Sequence, residues 1–436
     1  MLSSANVEIV SRSHKLCNGL QPNGSICTHT PSLPTVTASH VSRTFPYFKV
    51  MEPSTFDFLR TPSGEAALSV AMALSPTEAR FLQCFDKLRK RYPVEIAKAA
   101  LETAILRQKA ASKFQNAARM FFTKEALEQS SSEIVAQHRA TRFRGMKHVA
   151  DLCCGIGGDA LALAKVATTL SAFELDPLRS RMAEANLIAN GATNTTVIIA
   201  DVMADNLGEF DAVFCDPSRR STGRRYLAVG DYQPNPLEVA KRFAMVPLLA
   251  FKLAPGIPRS ELEAFDAEME FVSLNGELKE CVAWLRDGKT CLRRATVLPT
   301  GETFTAMSLP ERPISGPPLR YLYDPDPTVV RAELEANLCE TVNGQMLDER
   351  IALITSDAAI DTPFATRYEI VEVLPFHMRK LNEWLREHKV GRITLLNRGS
   401  RLEPDEVTRK LKLTGSEHRQ IVLTQIAEES FVIVAK

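Results

Sequence analysis

The run from Val149 to Asp159, VADLCCGIGGD, combines an acidic residue with a glycine-rich turn. The apolar residues Val149 and Leu152 predict a short buried strand, Gly155 and Gly157 predict a tight turn, and the stretch DALALAKVA predicts a helix with one inward face. Glycines at such a turn let the backbone approach a ligand closely. The pattern therefore predicts a site for a nucleotide-like cofactor at a strand-to-helix turn.

Two kinds of cofactor fit a glycine turn of this sort, and the charge of Asp151 separates them. Gly155, Gly157 and Ala160 also satisfy the loose G-x-G-x-x-G/A pattern of dinucleotide-binding folds, so the glycines alone leave both possibilities open. A carboxylate just before the turn would repel a pyrophosphate but attract an ammonium group. S-adenosylmethionine (SAM) carries an ammonium and a sulfonium, so Asp151 favours SAM. Cys153, inside the same turn, is expected to lie against this cofactor.

Acidic residues also end the next three apolar runs. Glu174 ends LSAFE about 20 residues after the glycine turn, where a carboxylate can bind ribose hydroxyls. Asp201 and Val202 follow TTVIIA, and Asp216 follows FDAVFC. Because ligands of open α/β sheets bind at the carboxyl ends of strands, these residues are expected at one site. Asp176 is a candidate for cofactor contact or for the cap of the next helix, and Asp201 could instead simply end its strand in a turn.

The ordered set DLCCGIGGD, FELDP, IIADVM and FCDPSRR resembles the class I SAM-dependent methyltransferases, over residues 147–298. The resemblance implies a Rossmann-like α/β sheet, and the later apolar runs VPLLAFKL, CVAWL and ATVL would bring it to about six or seven strands. It also implies that Asp151 and the glycine turn hold the methionine part of SAM, that Glu174 binds ribose, and that Asp201 with Val202 binds the adenine edge. Methyl transfer from a sulfonium is an in-line displacement governed by orientation, so no metal ion or covalent intermediate is required.

The reacting end is expected at Asp216, Pro217 and the three residues that follow. Relatives that methylate amino groups usually carry a polar residue, two prolines and an aromatic residue here, and only Asp216 and Pro217 match. Ser218, Arg219 and Arg220 replace the rest, which argues against adenine N6 as acceptor and favours a nearby phosphate or carboxylate. Asp216 could accept a proton or position a nucleophile. Arg219 and Arg220 are expected to bind substrate, although the run RRSTGRR would also suit a solvated basic loop.

The composition is that of an ordinary soluble globular protein. The chain has 436 residues, of which 45% are hydrophobic and 24% charged, with a net charge of +1. This length predicts about two or three domains. No apolar stretch reaches the roughly 18 residues of a membrane span and no secretory signal is evident, so a cytoplasmic protein without membrane association is expected. The nine cysteines include no C-x-x-C pair, which gives zinc sites and disulfide frameworks no support.

Composition and periodicity change along the chain and predict six segments. Residues before Met51 are rich in Ser, Thr and Pro without lasting periodicity, which predicts disorder. Met51 is then a candidate true start, with a transit-like presequence as the alternative. The expected segments are a disordered 1–50, a helical module at 51–145, the SAM-binding sheet at 146–298, a Pro-rich connection at 299–327, a small α+β segment at 328–370 and a compact α+β domain at 371–436.

Basic residues are concentrated in two segments that lie before and after the four predicted strands with acidic ends. Residues 77–146 hold 14 Lys and Arg against 7 Asp and Glu, and residues 376–420 hold 11 against 6. Arg398 and Arg401 lie around a predicted strand and its exit turn, so phosphate contact is expected there. The last segment resembles the THUMP-like domain of a group of bacterial SAM methyltransferases. The runs LRQKAASKFQNAARMFFTKEALEQ and YLYDPDP also resemble that group, which extends the resemblance over residues 59–436.

THUMP domains bind RNA, so the resemblance implies an RNA methyltransferase acting on tRNA or rRNA, with RNA as its partner. Two alternatives stay open. One is a SAM-dependent methyltransferase for a small molecule or a protein. The other is an RNA-binding protein whose SAM site no longer turns over, against which the intact Asp151, Glu174 and Asp216 argue. The sequence sets no oligomeric state.

Overall fold

The computed structural model describes residues Val7–Val10, 51–218, 220–221, 224–225 and 228–436. These residues form an N-terminal helical module, a nine-stranded sheet and an eight-stranded sheet, with helices packed on both sheets. The expected α/β class, with a helical module before the sheet and an α+β unit after it, is confirmed.

The helical module packs around one central helix. Its helices are α1 (Pro53–Leu59), α2 (Pro62–Ala73), α3 (Phe81–Leu88), α4 (Val94–Ala110), α5 (Lys124–Gln129) and α6 (Glu133–Ala140). Helix α4 is buried on most of its circumference because α1, α2 and α3 pack against it. Helix α2 begins sharply, since the Thr61 hydroxyl accepts a hydrogen bond from the Gly64 amide at 3.2 Å and Pro62 occupies the first turn. The module's apolar cluster extends to Leu178 and Met182 of the neighbouring domain.

The nine-stranded sheet follows the helical module. Its elements, with the short helices and the two-stranded ribbon between them, are β2 (His148–Leu152), α7 (Gly158–Ala164), β3 (Thr169–Glu174), α8 (Pro177–Ala189), β4 (Thr195–Ile199), β5 (Ala212–Cys215), β6 (Arg220–Ser221), β7 (Arg224–Arg225), α9 (Pro236–Arg242), β8 (Leu248–Leu253), α10 (Arg259–Leu262), β9 (Ala267–Leu274), β10 (Glu277–Arg286), β11 (Arg293–Leu298) and β12 (Glu302–Ala306).

The strand order of this sheet creates a crevice above β2. The order is β12-β11-β9-β10-β8-β5-β2-β3-β4, and the five strands β4, β3, β2, β5 and β8 run parallel. The chain moves outward from β2 through β3 to β4, then returns to β5 on the other side of β2. Ligands of open α/β sheets bind where the order reverses in this way, beside the carboxyl ends of the strands.

Both faces of the sheet are covered, so its strands are apolar on both sides. Helices α6, α7 and α8 cover one face, where Val149 and Phe214 lie. Helix α9 covers the other face, where Ala150 and Phe251 lie. A parallel sheet buried on both faces needs such near-continuous apolar runs. This explains why the strands that carry the site could be recognised from the sequence.

The sheet has more strands than expected, because β9 was missed and β12 extends it. Strand β9 carries Glu268 and Glu270, which interrupt its apolar pattern although both are almost completely buried. The carboxylate of Glu270 accepts hydrogen bonds from the indole N–H of Trp284 at 2.8 Å and the Thr296 hydroxyl at 2.6 Å. Glu268 is paired with Arg294 through Nε at 2.7 Å. Buried charges of this kind are tolerated when they are paired and hydrogen-bonded.

The C-terminal sheet takes residues from three predicted segments. Its elements are β13 (Tyr321–Pro325), α11 (Pro327–Ala332), α12 (Glu335–Val342), β14 (Gln345–Asp348), β15 (Ile351–Ser356), β16 (Ala365–Pro375), α13 (Met378–Glu387), β17 (Val390–Arg398), α14 (Pro404–Lys410), β18 (Glu417–Ile426) and β19 (Glu429–Ala435). The strand order is β1-β17-β18-β19-β16-β13-β15-β14, where β1 is Val7–Val10. Helices α11 and α12 join the two sheets, because Val329 and Leu338 belong to the same apolar core as Phe271 and Tyr323.

Several predicted boundaries are therefore wrong. Strand β12 continues the first sheet beyond residue 298, and β13 lies inside the predicted connection 299–327. Strand β16 crosses the predicted boundary at 370/371, so 328–370 and 371–436 share one sheet. The prediction of disorder fails at Val7–Val10, which pair in parallel with β17 and place Val7 opposite Ile393. The rest of residues 1–50 lies outside the described residues.

Within the described parts of the chain, no helix combines the length and apolar character needed to cross a membrane. A search of the same residues for three or more His, Cys, Asp and Glu side chains arranged to hold a metal ion found none.

Candidate functional site

The turn after β2 has a backbone that ordinary residues rarely adopt. Gly155 and Gly157 have φ values of +59° and +82°, and Cys153 has a φ of +64°. Positive φ is easily accessible to glycine, whereas in Cys153 it is a strained conformation of the kind that concentrates at ligand sites. Gly157 directly precedes α7, whose first amides consequently point toward the turn. The turn predicted from the glycine spacing is therefore present.

Glu174 holds this turn in place. Its carboxylate accepts a hydrogen bond from the Gly155 amide at 2.8 Å and another from the Asp176 amide at 2.9 Å. The acidic residue at the end of β3 thus ties the turn after β2 to the turn after β3. Glu174 also lines the cavity described below. Its expected role in binding ribose stays a prediction.

Asp151 is a buried carboxylate without a protein partner. Its side chain is 1% exposed, and neither oxygen has a hydrogen-bond partner among the described residues. Burial raises the pKa of this carboxyl well above its ordinary value, and the nearby carboxylates of Asp159 and Asp216 raise it further. Arg139 and Lys252 oppose this shift, but neither forms a hydrogen bond with Asp151, so an ionised Asp151 has no contacting cation among the described residues.

A cavity of about 430 Å³ lies over these strand ends, within the roughly 300–1,000 Å³ typical of small-molecule sites. The expected residues Cys153, Gly155, Glu174, Asp201 and Val202 line it, whereas Asp151 and Gly157, also expected to bind the cofactor, do not. The remaining lining residues are Ala126, Gln129, Ser130, Cys154, Ile156, Gly158, Asp159, Phe173, Leu175, Arg179, Ala200, Met203, Asp216, Ser218, Gln233 and Pro234. The structure therefore brings Glu174, Asp201 and Asp216 together in one cavity, which is called the cofactor cavity below.

Asp201 shapes the cofactor cavity through a local turn. Its Oδ1 accepts a hydrogen bond from the Met203 amide at 2.9 Å, and its own amide donates to Asp205 at 2.8 Å. Asp201 therefore forms a turn at the end of its strand and also faces the cofactor cavity, so the structure is compatible with both interpretations of this residue.

Asp176 is the helix cap rather than a cavity residue. Its Oδ1 accepts a hydrogen bond from the Arg179 amide at 2.8 Å at the start of α8. The side chain is exposed and does not line the cofactor cavity. The structure thus shows the helix-cap role of Asp176, and its contact with the cofactor stays a prediction.

A second cavity, of about 740 Å³, adjoins the first. The two cavities share Gln129, Ser130, Asp216 and Ser218. The other lining residues of the second cavity are Ser112, Lys113, Glu128, Ser131, Ser132, Val135, Pro217, Lys252, Ala254, Pro255, Gly256, Leu274, Glu277, Leu278, Lys279 and Glu280. Its walls thus come from the helical module, from the residues that follow β5, from the end of β8 and the residues after it, and from the residues on either side of the turn between β9 and β10. We call it the acceptor cavity, since it meets the cofactor cavity at Asp216.

Asp216 is paired with a lysine that sequence reasoning took only as the end of an apolar run. The ammonium of Lys252, on β8, lies 2.5 Å from Asp216 Oδ2, and Lys252 is 4% exposed. Burial alone would lower the pKa of Lys252, but the carboxylates of Asp216 and Asp159 outweigh it and raise the pKa. Lys252 is therefore a fixed positive charge beside Asp216. A lysine within the apolar run VPLLAFKLAPG was the available signal. Pro217 is buried and lines the acceptor cavity, and its predicted place at the reacting end stays a prediction.

Arg139, from helix α6, is a further residue that the sequence did not indicate. Its guanidinium is buried and hydrogen-bonds both Asp159 and Glu280. It also lies 4.7 Å from the centre of the Phe214 ring. Asp159 lines the cofactor cavity and Glu280 lines the acceptor cavity, so Arg139 joins the two.

The four predicted substrate-binding arginines have different outcomes. Arg219 and the side chain of Arg220 lie outside the described residues. Arg401 is exposed, as phosphate contact would require. Arg398 is buried and forms a bidentate ion pair with Asp324, with both N···O distances at 2.6 Å. The prediction that Arg398 contacts phosphate is therefore wrong, because its guanidinium joins β17 to β13.

The residues of the cofactor cavity fit SAM. Gly155, whose positive φ suits close backbone approach, and Glu174 line the cavity. The buried Asp151, two residues before the lining Cys153, has no hydrogen-bond partner among the described residues and suits the ammonium of SAM. When bound, SAM supplies a methyl group already activated on a sulfonium. Asp151, Glu174 and Asp201 are the acidic side chains of this chain that would hold it, and no metal ligand is needed for that binding.

Comparisons with known proteins agree with this geometry. Residues 112–231 match the methyltransferase small domain family, residues 365–436 match the THUMP domain-like family, and residues 52–110 match a domain of unknown function. A Porphyromonas gingivalis W83 protein assigned as a methyltransferase has the same fold, with a TM-score of 0.70 and 19% identity over 85% of this chain and 98% of that one. The ribosomal RNA small subunit methyltransferase C of Idiomarina loihiensis is 39% identical over 82 residues, which are 19% of this chain and 23% of that protein.

A longer match defines the family. A protein of Mycobacterium tuberculosis H37Rv, named an uncharacterized S-adenosylmethionine-dependent methyltransferase, is 33% identical over 340 residues, which cover 76% of this chain and 93% of that protein. The match extends far beyond the glycine turn. The chain therefore belongs to the S-adenosylmethionine-dependent methyltransferases, with SAM as its methyl donor and a THUMP-like domain at its C-terminal end.

Proposed function

We propose that this protein methylates RNA, either tRNA or rRNA, by direct in-line transfer from SAM. The observation that carries the RNA assignment is the cationic surface of the THUMP-like region. Of the 11 Lys and Arg at residues 376–420, most are exposed. The exposed ones are Arg379, Lys380, Arg386, Lys389, Arg392, Arg401, Arg409, Lys410 and Lys412.

Local hydrogen bonds bring basic residues of two helices together. The Asn382 side chain, on α13, donates to the Lys410 carbonyl at 3.0 Å and accepts from the Lys412 amide at 2.7 Å. The end of α14 therefore lies beside α13, whose exposed residues include Arg379 and Arg386. Clustered exposed Lys and Arg contact the phosphate backbone, which gives affinity and register without reading sequence.

The two adjoining cavities support direct transfer. Asp216 lies on their shared wall, so an acceptor in the second cavity would meet the donor in the first without a covalent enzyme intermediate. The buried ion pairs of Asp216 with Lys252 and of Arg139 with Asp159 fix the geometry of this wall. A fixed wall contributes by orienting the two reactants and excluding water between them.

Two further observations support RNA as the substrate. The THUMP domain-like match covers the C-terminal residues 365–436, and THUMP domains proper bind RNA. The relative from Idiomarina loihiensis acts on ribosomal RNA according to its name, and its match covers 82 residues of this chain.

The test is to incubate the full-length protein with methyl-labelled SAM and, separately, with tRNA, rRNA and protein extract. Label should enter one of the RNA fractions. RNA binding, measured by filter retention, should weaken steeply between about 50 and 200 mM salt because bound phosphates release counterions. Label in protein alone, or RNA binding that ignores salt, would contradict the proposal and favour the protein or small-molecule alternative.

A further inference from the structure

A third cavity, of about 540 Å³, lies between the helical module and the helices that cover the nine-stranded sheet. One side of it consists of residues of the helical module, among them Phe114 and Met120. The other side consists of residues in α7 and at the end of α8, among them Leu161 and Asn194. None of the described residues lines both this cavity and either of the other two. We call it the seam cavity, and its volume is typical of small-molecule sites.

The seam cavity adjoins the acceptor cavity at two places along the chain. Lys113 lines the acceptor cavity, whereas the next residue, Phe114, lines the seam cavity. Ser132 and Glu133 are divided between the two cavities in the same way. The Glu133 amide donates a hydrogen bond to the Lys113 carbonyl at 2.8 Å, so these two segments lie side by side. A ligand in the acceptor cavity would therefore have the seam cavity as its neighbour.

The charged side chains of the seam cavity compensate each other. Glu133 and Lys165 are the two charged residues among the described residues that line it. Lys165 Nζ donates to Glu133 Oε1 at 3.1 Å, and Glu133 Oε2 accepts a hydrogen bond from the Gln115 backbone amide at 3.0 Å. Because both charges are already paired, the cavity favours an uncharged ligand over a phosphate or a metal ion.

Side-chain amides supply the hydrogen-bonding groups of the seam cavity. Asn194 Nδ2 donates to the carbonyls of Ala164 and Ala167, at 3.0 Å each. The amide nitrogen of Asn116 is likewise used within the protein. The amide oxygens of both asparagines have no hydrogen-bond partner among the described residues, and neither has the side-chain amide of Gln115. The cavity thus offers two acceptors, and one further group that both donates and accepts.

We propose that the seam cavity binds the base of a nucleotide next to the one that is methylated. This inference rests on the proposed function and specifies the form of the RNA, a single-stranded segment in which two neighbouring bases are unstacked. Phe114 and Met120 are 3% and 1% exposed and give the cavity an apolar wall. Single-stranded RNA is recognised by apolar or aromatic contacts to the base and by hydrogen bonds to its edge, which amides match well. Enzymes that modify a base also use contacts to the flanking nucleotides to select their sequence context.

The first experiment measures base binding directly. The full-length protein is saturated with S-adenosylhomocysteine, so that the cofactor cavity is filled, and adenosine, guanosine, cytidine and uridine are each titrated in by calorimetry. At least one nucleoside should bind with a Kd below about 1 mM. Gln115→Leu should weaken that binding at least about fivefold, because it removes a donor and an acceptor from the cavity. The Gln115 side chain is exposed, so the variant should melt at the wild-type temperature.

Gln83→Leu is the matched control for this titration. Gln83 is an exposed glutamine of α3 that lines none of the three cavities, so the variant should leave nucleoside affinity and melting temperature unchanged. If no nucleoside binds, or if Gln115→Leu binds as tightly as the wild type, the inference is overturned.

The second experiment uses the labelled RNA, after its methylated position has been mapped. Replacing the nucleotide on one side of that position by an abasic ribose should raise the KM for RNA at least about fivefold, while kcat stays within about twofold. In Gln115→Leu the same abasic RNA should lose little more, because the two changes remove one contact. An unchanged KM for abasic substitution on both sides, or fully additive effects of the two changes, would overturn the inference while leaving RNA methylation intact. Label in protein alone would overturn it together with the proposed function.

Discussion

Asp151 and Arg398 are both buried charged side chains, and their surroundings differ in one decisive way. Arg398 has a complete partner, the carboxylate of Asp324, at two distances of 2.6 Å. Asp151 has no hydrogen-bond partner among the described residues and lies two residues before Cys153, which lines the cofactor cavity. A buried charge without a partner indicates a ligand of opposite charge, whereas a buried charge with a full partner indicates a structural ion pair.

Removing one partner of the Arg398–Asp324 ion pair should have the largest effect of the changes proposed, and that effect should be on stability. Arg398→Met leaves Asp324 buried and uncompensated, so the free energy of unfolding should fall by about 3–5 kcal/mol. Chemical denaturation of the full-length protein measures this change. RNA affinity of the folded fraction should be unchanged, because the guanidinium faces the protein interior.

A double variant tests the cause of that loss. Replacing both partners, Arg398→Met with Asp324→Leu, should recover most of the stability because no unpaired charge remains. If Arg398→Met were instead stable and weak in RNA binding, the contrast with Asp151 would be broken and the phosphate role restored.

Asp151→Asn should have the next largest effect, and on binding rather than folding. Losing the charge that pairs with the ammonium should weaken S-adenosylhomocysteine binding by about 100-fold, about 2.7 kcal/mol. The apo protein should be at least as stable as the wild type, since an uncompensated buried carboxylate is replaced by a neutral amide. Calorimetric titration and thermal melting measure the two quantities. Asp176→Asn is the matched control, because asparagine caps a helix equally well and should leave affinity unchanged.

The pH dependence of cofactor binding further tests whether Asp151, unlike Arg398, binds a ligand of opposite charge. Burial raises the pKa of Asp151 most, and the carboxylates of Asp159 and Asp216 raise it further. The positive charges of Arg139 and Lys252 lower this pKa in part. A cationic ligand binds the ionised form, so affinity should rise with pH by up to about tenfold per unit until Asp151 is fully ionised. Apo stability should change the opposite way, falling as pH rises from about 3.8 through the higher pKa of the folded state. Asp151→Asn should abolish both dependences; a persisting affinity slope would assign it to another group.

Arg401→Met should have the smallest effect on stability, within about 0.5 kcal/mol, since Arg401 is exposed. It should weaken RNA binding evenly across sequences and reduce the slope of log affinity against log salt by about 1. An unchanged slope would remove Arg401 from the RNA surface.

Local pattern predicts the parts of this protein that depend on near neighbours. Apolar runs ended by Asp151, Glu174, Asp201 and Asp216 placed these residues at one sheet edge because parallel strands align their carboxyl ends. The glycine spacing likewise predicted the turn. Strand β9 was missed because its buried glutamates look like solvent-facing residues until their partners are known.

Pairing over long sequence separation could not be predicted. Arg398 and its partner Asp324 are 74 residues apart, and Arg139 and Glu280 are 141 apart. No periodicity connects such residues, so a residue of a structural ion pair and a ligand-binding residue cannot be told apart in the sequence. Only the folded chain shows that Arg398 is paired and that Asp151 has no hydrogen-bond partner among the described residues.

Arg139 has a consequence for how this protein can be divided. It belongs to the helical module, yet its charge compensates two carboxylates of the sheet, Asp159 and Glu280. A fragment that begins at β2 would keep both acids and lose their counter-ion, and it would also lose one side of the acceptor cavity. The helical module and the sheet therefore share the walls of both cavities, and we expect a truncation that keeps only the SAM-binding motif to weaken the binding of both reactants.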